Sequence, residues 1–393
     1  MKNNKKNKKE KRNRTITRQQ DNLNMFLASV LVTILLITFG LSTVFGENKQ
    51  YSVNENRYLA MPPNFSFASV KDGTFMKDTE EYISDQFVFR DALVKTRTGI
   101  DVFFGKREIN GVYIGRQHFL FEKPVPYQQK RITKTVATME EIANRNPSVH
   151  SYFALAPNST EILSDYLPLN APTENQTLQI YLTYNSLKKV SCIDICQPLK
   201  DDENPETLYY KTDHHWTTRG AVTAARVILH QMEPLKPVPD YRILPLTNEF
   251  QGTLASSSGI FSATDTVSIA LQQNEVPYTV KYVEEKKETS SVFVSEKLNG
   301  KSKYDVFFGG NFAQINIETK SKSQKNLLVI KDSYANCVIP LLLPSFKNVV
   351  VVDPRYYNGN LQELIEKEGI TDILWLYNVN TFLNDTSINE KLS

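Results

Sequence analysis

Cysteine is scarce in this sequence: Cys192, Cys196 and Cys337 are the only three among 393 residues. A disulfide framework is thereby excluded as the source of stability. Cys192-Ile-Asp-Ile-Cys196 alternates like a strand, so both thiols would face one side. A bridge between them is compatible with that pattern but not demanded by it. Histidine is also rare, with five residues. One cysteine pair and scattered imidazoles give a structural zinc site little to work with. The 15 glycines nowhere gather into a phosphate loop of P-loop or dinucleotide form. Internal repeats are missing too.

A surplus of positive charge is only apparent. The net charge is +3, but residues 1–21 alone hold nine Lys/Arg against Glu10 and Asp21. Setting that tail aside leaves 37 basic against 41 acidic residues, a balance of −4. The bulk of the chain is therefore not a basic nucleic-acid binder, and the tail suits anionic lipid headgroups. Met25 to Phe45 then runs 21 residues without a charge, enough to span a bilayer core of about 30 Å as a helix. The basic flank should stay cytoplasmic, which places the rest outside. The exit Ser42-Thr43-Val44-Phe45-Gly46 is a poor cleavage site, so the expectation is an uncleaved, single-pass anchor at the cell membrane.

What is present is concentrated in two places. Lys211-Thr212-Asp213-His214-His215-Trp216 packs two of the histidines beside a carboxylate and one of only two tryptophans, just before a helical pattern from Ala221 to about Met232. Far away, Leu327–Ile330 reads as a buried strand that runs into Lys331-Asp332-Ser333-Tyr334. A serine hydroxyl attacks well only when an imidazole takes its proton, and the imidazole needs a carboxylate on its other nitrogen. In an extended loop Asp213 and His215 share a face, while His214 points the other way. The expected triad is Asp213 as orienter, His215 as base and Ser333 as nucleophile. Expected oxyanion donors are the Ser333 N–H with Asn158 or the Gly309-Gly310-Asn311 turn, Gly310 and Asn311 in particular. Trp216, Tyr334, Tyr356 and Tyr357 are the nearby aromatics, candidates to stack on a ring of the substrate. A metal at Asp213, His214 and His215 would need a distant ligand, for which His118, His150 and His230 are poorly suited. No cofactor is expected.

In chain order, residues 1–21 read as the tail, 22–46 as the anchor, 47–84 as a polar stalk and 85–393 as the main domain. Within it, Gly111–Phe121 reads as a hairpin, Tyr127–Asn146 as an amphipathic helix and Val149–Leu155 as a buried strand. Residues 234–325 read as a mostly β insertion, with strands at 278–283, 291–294 and 305–308. The end reads as two βαβ steps. The fold class is α/β with a parallel sheet, whose chemistry sits beyond the carboxyl ends of the strands.

The Lys211–Trp216 stretch with the late Asp332-Ser333 resembles the signature of the DHHW family, SGNH-hydrolase-like proteins related to the alginate O-acetyltransferases. Gln86–Asp91, Ala156-Pro157-Asn158, Tyr304–Asn311 and Asp353-Pro354-Arg355 fall in the order that family shows. The resemblance implies a flavodoxin-like α/β/α sandwich with triad order Asp, His, Ser, and it makes Arg90 and Arg355 recurrent arginines, Arg355 a candidate for binding substrate. It further implies an extracytoplasmic serine O-acyltransferase that acetylates a cell-envelope or secreted polysaccharide. Its partner would be a membrane-bound O-acyltransferase supplying the acyl group. The alternatives are a carbohydrate esterase with the same triad and a non-catalytic envelope scaffold.

Overall fold

Runs such as Leu327–Ile330 and Val349–Val352 are apolar at every position, the pattern of strands covered on both faces. The computed structural model describes residues 2–52, 57–237, 239–272 and 276–392, without the side chains of 2–19, 21 and 43–45. Most of the basic tail's side chains lie outside the described residues. The chain divides into two units, Met1–Gly99 and Ile100–Ser393.

In the first unit one helix runs Lys2–Phe45, and its Asn22–Ser42 portion is long and apolar enough to cross a membrane. The stretch expected as an irregular stalk contains more structure than its composition suggested. Tyr51–Ser52 pairs antiparallel with Arg57–Tyr58, and the helices Phe67–Lys71 and Thr74–Gln86 follow. Asp85 ties them together. It is buried, grips the Arg57 guanidinium with both oxygens and accepts from the Ala60 N–H at 2.9 Å. The hydrogen bond from Arg57 holds its carboxyl below the usual range, against the opposing effect of burial. The helix Arg90–Phe103 carries the division at Gly99.

The second unit is built on an eight-stranded sheet. Its strands are β1 (His150–Ala156), β2 (Ser191–Ile193), β3 (Tyr278–Tyr282), β4 (Lys287–Thr289), β5 (Gln314–Thr319), β6 (Asn326–Lys331), β7 (Asn348–Val352) and β8 (Asp372–Asn378). Across the sheet the order is β4-β3-β5-β7-β6-β8-β1-β2. The five strands from β7 to β2 are parallel. The other three are antiparallel, so the sheet is mixed rather than parallel throughout. The antiparallel strands come from the 234–325 stretch, which extends the sheet as well as adding the separate pair Tyr241–Phe250 and Asp265–Gln272. Expected strands at 291–294 and 305–308 are replaced by a lone bridge, Phe293 to Phe307, and a 3-10 turn at Lys303–Val306. Val292 and Phe307 are buried by packing, and the bridge beside them does not extend into a ladder.

Side chains alternate across β6, β7 and β8 as a pleat requires. Leu327, Val329, Val349, Val351, Leu374 and Leu376 join one core with the helix Thr218–Met232. Leu328, Ile330, Val350, Val352, Ile373 and Trp375 join another with the helices Gln129–Arg145 and Leu361–Lys367. The hairpin is found as Val112–Ile114 with Leu120–Glu122, joined by a third short strand, Glu108–Ile109. β2 ends at Ile193 and Cys196 opens a helix, so the two cysteines do not share a strand. All three thiols are free, and burial pushes Cys192 up to about 12, Cys196 to about 11 and Cys337 to about 12.

Candidate active site

The turn after β6 follows from its sequence. Asp332 has extended backbone and caps a 3-10 turn, Ser333–Cys337, by accepting from the Tyr334 N–H at 2.9 Å. Its other oxygen accepts from the Asn378 N–H at the end of β8, also at 2.9 Å. Ser333 is thereby presented at the carboxyl end of the parallel strands, with its own N–H the first of the turn and outside the turn's internal bonding. Tyr304 donates its hydroxyl to the Ser333 carbonyl at 3.1 Å.

The Asp213–Trp216 loop is held from a different direction. A bridge between Tyr209 and Trp216 closes it, and Thr217 caps the helix Thr218–Met232 behind it. Buried Asp265 accepts from the N–H groups of Lys211 and Thr212, each at 2.8 Å, and from the Thr212 hydroxyl at 2.5 Å. The Thr212 hydroxyl oxygen accepts in turn from the Gly252 N–H at 3.0 Å. A methyl group on Gly252 would collide with the Asp213 side chain, so only glycine admits this approach.

Three side chains meet. His215 Nδ1 lies 2.6 Å from Asp213 Oδ1, and His215 Nε2 lies 2.8 Å from Ser333 Oγ. Asp213 Oδ1 also accepts from the His215 N–H at 3.0 Å. Oδ2 takes the Thr253 N–H at 2.8 Å and its hydroxyl at 3.0 Å. With an ionised Asp213, which only accepts, Nδ1 carries the imidazole proton and Nε2 is left to accept from the Ser333 hydroxyl.

Burial, and then the neighbouring His214, push the His215 imidazole down from 6.5 to about 4, against the pull of Asp213. Burial pushes Asp213 the other way, but His214, His215 and the Thr253 N–H outweigh it and hold the carboxyl well below the usual range. At neutral pH the arrangement is a carboxylate and a neutral base.

His214 does not point away as an extended loop would require. The loop bends, and the two imidazole rings lie 3.9 Å apart. His214 Nδ1 reaches the Thr253 hydroxyl at 2.7 Å. Ligand atoms of Asp213, His214 and His215 lie within 4.8 Å of one another, a donor set a divalent ion could share. Both Asp213 oxygens already take N–H and O–H donors and His215 Nε2 faces Ser333, so an ion would have to displace the relay.

The remaining candidates separate. Trp216 and Tyr334 are enclosed, at 0% and 1% exposure, and the expectation that they stack on a sugar gives way to a packing role. The Trp216 indole donates to the Tyr334 carbonyl at 3.0 Å, and the Tyr334 hydroxyl donates to the His214 carbonyl. They clamp the two loops together. Tyr357 is also buried, while Tyr356 is half exposed. Asn158 is buried, with its amide shared between Glu122 and Gln176.

Asn311 is brought to the Ser333 turn. Its Oδ1 accepts from Lys331 Nζ at 2.7 Å and from the Asn336 amide at 3.1 Å, which leaves its NH2 as a donor. Gly310 adopts φ +133°, a backbone that glycine tolerates and other residues rarely do. Arg355 grips Asp353 through Nε at 2.8 Å and Nη2 at 2.6 Å. Asp353 also pairs with the enclosed Lys331 at 3.2 Å, whose ammonium burial pushes down. Asp265, Gly252 and Thr253 went unmarked in the sequence because each acts through a contact that spacing does not announce, and Lys331 stood there only as the residue before Asp332. Tyr304, whose ring stacks on His215 at 3.9 Å and 14°, stood only inside a longer stretch.

Known proteins share this arrangement of chain. A DHHW family protein from Eubacterium siraeum superposes with a TM-score of 0.64 at 23% identity, covering 72% of this chain and 97% of that one. Bacillus cereus PatB1, in a structure with a sulfonyl adduct, gives 0.61 at 21% identity over 72% of this chain and 98% of its own. The alginate biosynthesis protein AlgX of Pseudomonas aeruginosa is 30% identical over 129 residues, 32% of this chain; the match spans 24% of that relative's length. Residues 133–352 match the family model described as DHHW protein, whose four letters stand here as Asp213-His214-His215-Trp216, and the chain belongs to that family.

Proposed function

We propose that this chain is a membrane-anchored serine O-acyltransferase acting outside the cytoplasm, with a polysaccharide hydroxyl as acceptor. The observation that carries it is the relay Asp213–His215–Ser333, with its 2.6 and 2.8 Å contacts. His215 Nε2 takes the proton as Ser333 Oγ attacks the acyl carbonyl, and Asp213 stabilises the imidazolium that forms. The Ser333 N–H and the Asn311 NH2 are the donors for the developing oxyanion. Collapse breaks the bond to the acyl donor, whose departing oxygen or sulfur takes the proton from His215, and leaves an acyl-serine beside a neutral imidazole. A sugar hydroxyl, deprotonated by His215, then takes the acyl group and restores the serine.

Membership of the DHHW family and the likeness to AlgX, a protein of alginate biosynthesis, support an extracellular glycan as acceptor. The Asn22–Ser42 helix supports a single-pass anchor with the bulk of the chain outside, and a membrane-bound O-acyltransferase is the proposed acyl supplier. The sulfonyl adduct in the PatB1 structure suggests a direct probe, because sulfonyl fluorides modify activated hydroxyls.

The test uses the full chain in detergent with a chromogenic acetyl ester and, separately, a sulfonyl fluoride, read by intact mass. An added acetyl or sulfonyl group is expected on the wild type and on neither Ser333→Ala nor His215→Ala. Adding a glycan acceptor should move the acetyl group to sugar faster than water removes it. Turnover insensitive to Ser333→Ala would sink the assignment.

A further inference from the structure

In the Met1–Gly99 unit, every side chain of the Asn22–Ser42 span is exposed except those of Phe39 and Ser42, which are partly covered. Phe39 is met by two rings from much later in the unit: Phe87 at 6.1 Å between centroids and Phe89, edge-on, at 5.7 Å. Phe39 lies three residues before the end of the span, about 4.5 Å along a helix axis. The turn Phe87-Val88-Phe89 is therefore pinned beside the last turn of the span, at the height where acyl chains give way to headgroups.

The local sequence is sorted to match. Asp85 and Gln86, just before the turn, face inward: Asp85 onto Arg57, and the Gln86 amide onto the carbonyls of Lys49 and Ala60 at 3.0 Å each. The apolar side chains after them face out. Val88 is 43% exposed, Phe89 52%, and Leu93, one turn into the helix Arg90–Phe103, 55%. In water such exposure forfeits about 25 cal/mol for each Å² left uncovered. Against acyl chains it does not, and amphipathic elements at interfaces use Phe and Leu in this way.

We propose that the Phe87–Phe89 turn and the first turn of the following helix dip into the outer leaflet, forming a second membrane contact beside the span. The occupant is lipid, because the apolar patch is continuous with a helix that has lipid as its solvent. The inference rests on the anchor reading. A lone span lets its unit swivel about the helix axis, and a wedge of three apolar side chains beside it stops that rotation.

The test uses the full chain in lipid nanodiscs whose acyl chains carry bromine either near the glycerol or near the chain end. Phe89→Trp and, as a second variant, Leu93→Trp report on the wedge, and Leu35→Trp reports on the span. The native Trp216 and Trp375, both 0% exposed, supply a constant background, and far-ultraviolet circular dichroism checks the fold. Bromine near the glycerol should remove most of the added emission at positions 89 and 93, and bromine near the chain end most of that at position 35. Water-like emission at 89 and 93, unquenched while 35 is quenched, would overturn the proposal. So would unquenched but blue-shifted emission, which would mark a protein contact. Loss of quenching at all three positions would instead remove the anchor reading itself.

Discussion

The Asp213–Trp216 loop and the Ser333 turn meet at His215 and Ser333 and are clamped by Trp216 and Tyr334, yet different forces hold each in place. The histidine side hangs on polar contacts from the 234–325 stretch: Asp265 on the backbone of Lys211 and Thr212, Thr253 on Asp213, and Gly252 close enough to exclude any side chain. The serine side leans on the sheet and on aromatic packing. Asp332 bonds the ends of two strands together, and Trp216, Tyr304 and Tyr334 enclose the turn. Hydrogen bonds fix direction, which an imidazole needs at both nitrogens. Packing fixes position, which a nucleophile needs. The division means the proposed base, His215, is held by residues in a loop-rich region, while the proposed nucleophile, Ser333, stays on the rigid frame.

That contrast can be broken in order of severity. Ser333→Ala and His215→Ala should each lower the acylation rate by about 10³-fold or more, and Ser333→Ala should leave the melting temperature nearly unchanged. Asp265→Ala should cost about 2–4 kcal/mol in denaturant unfolding, because three donors lose a buried acceptor. It should cut acylation as well, since the loop it holds carries the base. Gly252→Ala should cost about 1–3 kcal/mol for the forced displacement of Asp213, with acylation falling while sulfonyl labelling of Ser333 slows in parallel. Tyr304→Phe removes the hydroxyl's bond to the Ser333 carbonyl and its contact with Cys337 Sγ, about 1 kcal/mol, and keeps the ring on His215. If Tyr304→Phe proves more damaging than Gly252→Ala, the assignment of polar control to one side and packing to the other is wrong.

Titration sharpens the same comparison. The folded His215 sits near 4 and the unfolded imidazole near 6.5, so its stabilising contribution is present above 6.5 and is lost as pH falls toward 4. Asp213, also lowered in the folded state, adds a further loss once pH drops below its unfolded 3.8. Melting temperature should fall through this window, and His215→Gln should flatten the part between 6.5 and 4. The acid limb of acylation should lie near pH 4. Because His214 helps depress His215, His214→Gln should move that limb to higher pH.

Much of this was legible because periodicity reports burial. The apolar runs at 327–330 and 349–352 and the helix after Thr217 stand where their patterns placed them, and the Asp213, His215 and Ser333 spacing identified groups that do meet. Residues 291–294 misled because burial by packing and burial by pairing produce the same apolar string. Trp216 and Tyr334 misled in the opposite sense: neighbours of a reactive site, they are spent on holding it. His214 turned inward because a bend, invisible to a two-residue alternation, brings it onto Thr253.

His215 and Ser333 are separated by 118 positions in sequence, and the chain between them supplies the pair Tyr241–Phe250 and Asp265–Gln272 and the three antiparallel strands of the large sheet. Closing a loop of that length is slow and comes late in folding. A chain in which this contact has not closed therefore holds an ordinary serine hydroxyl with no imidazole beside it. If Ser333 reacts as proposed, its reactivity certifies completed folding, and one labelling reaction would count the fraction of molecules that have reached the native state.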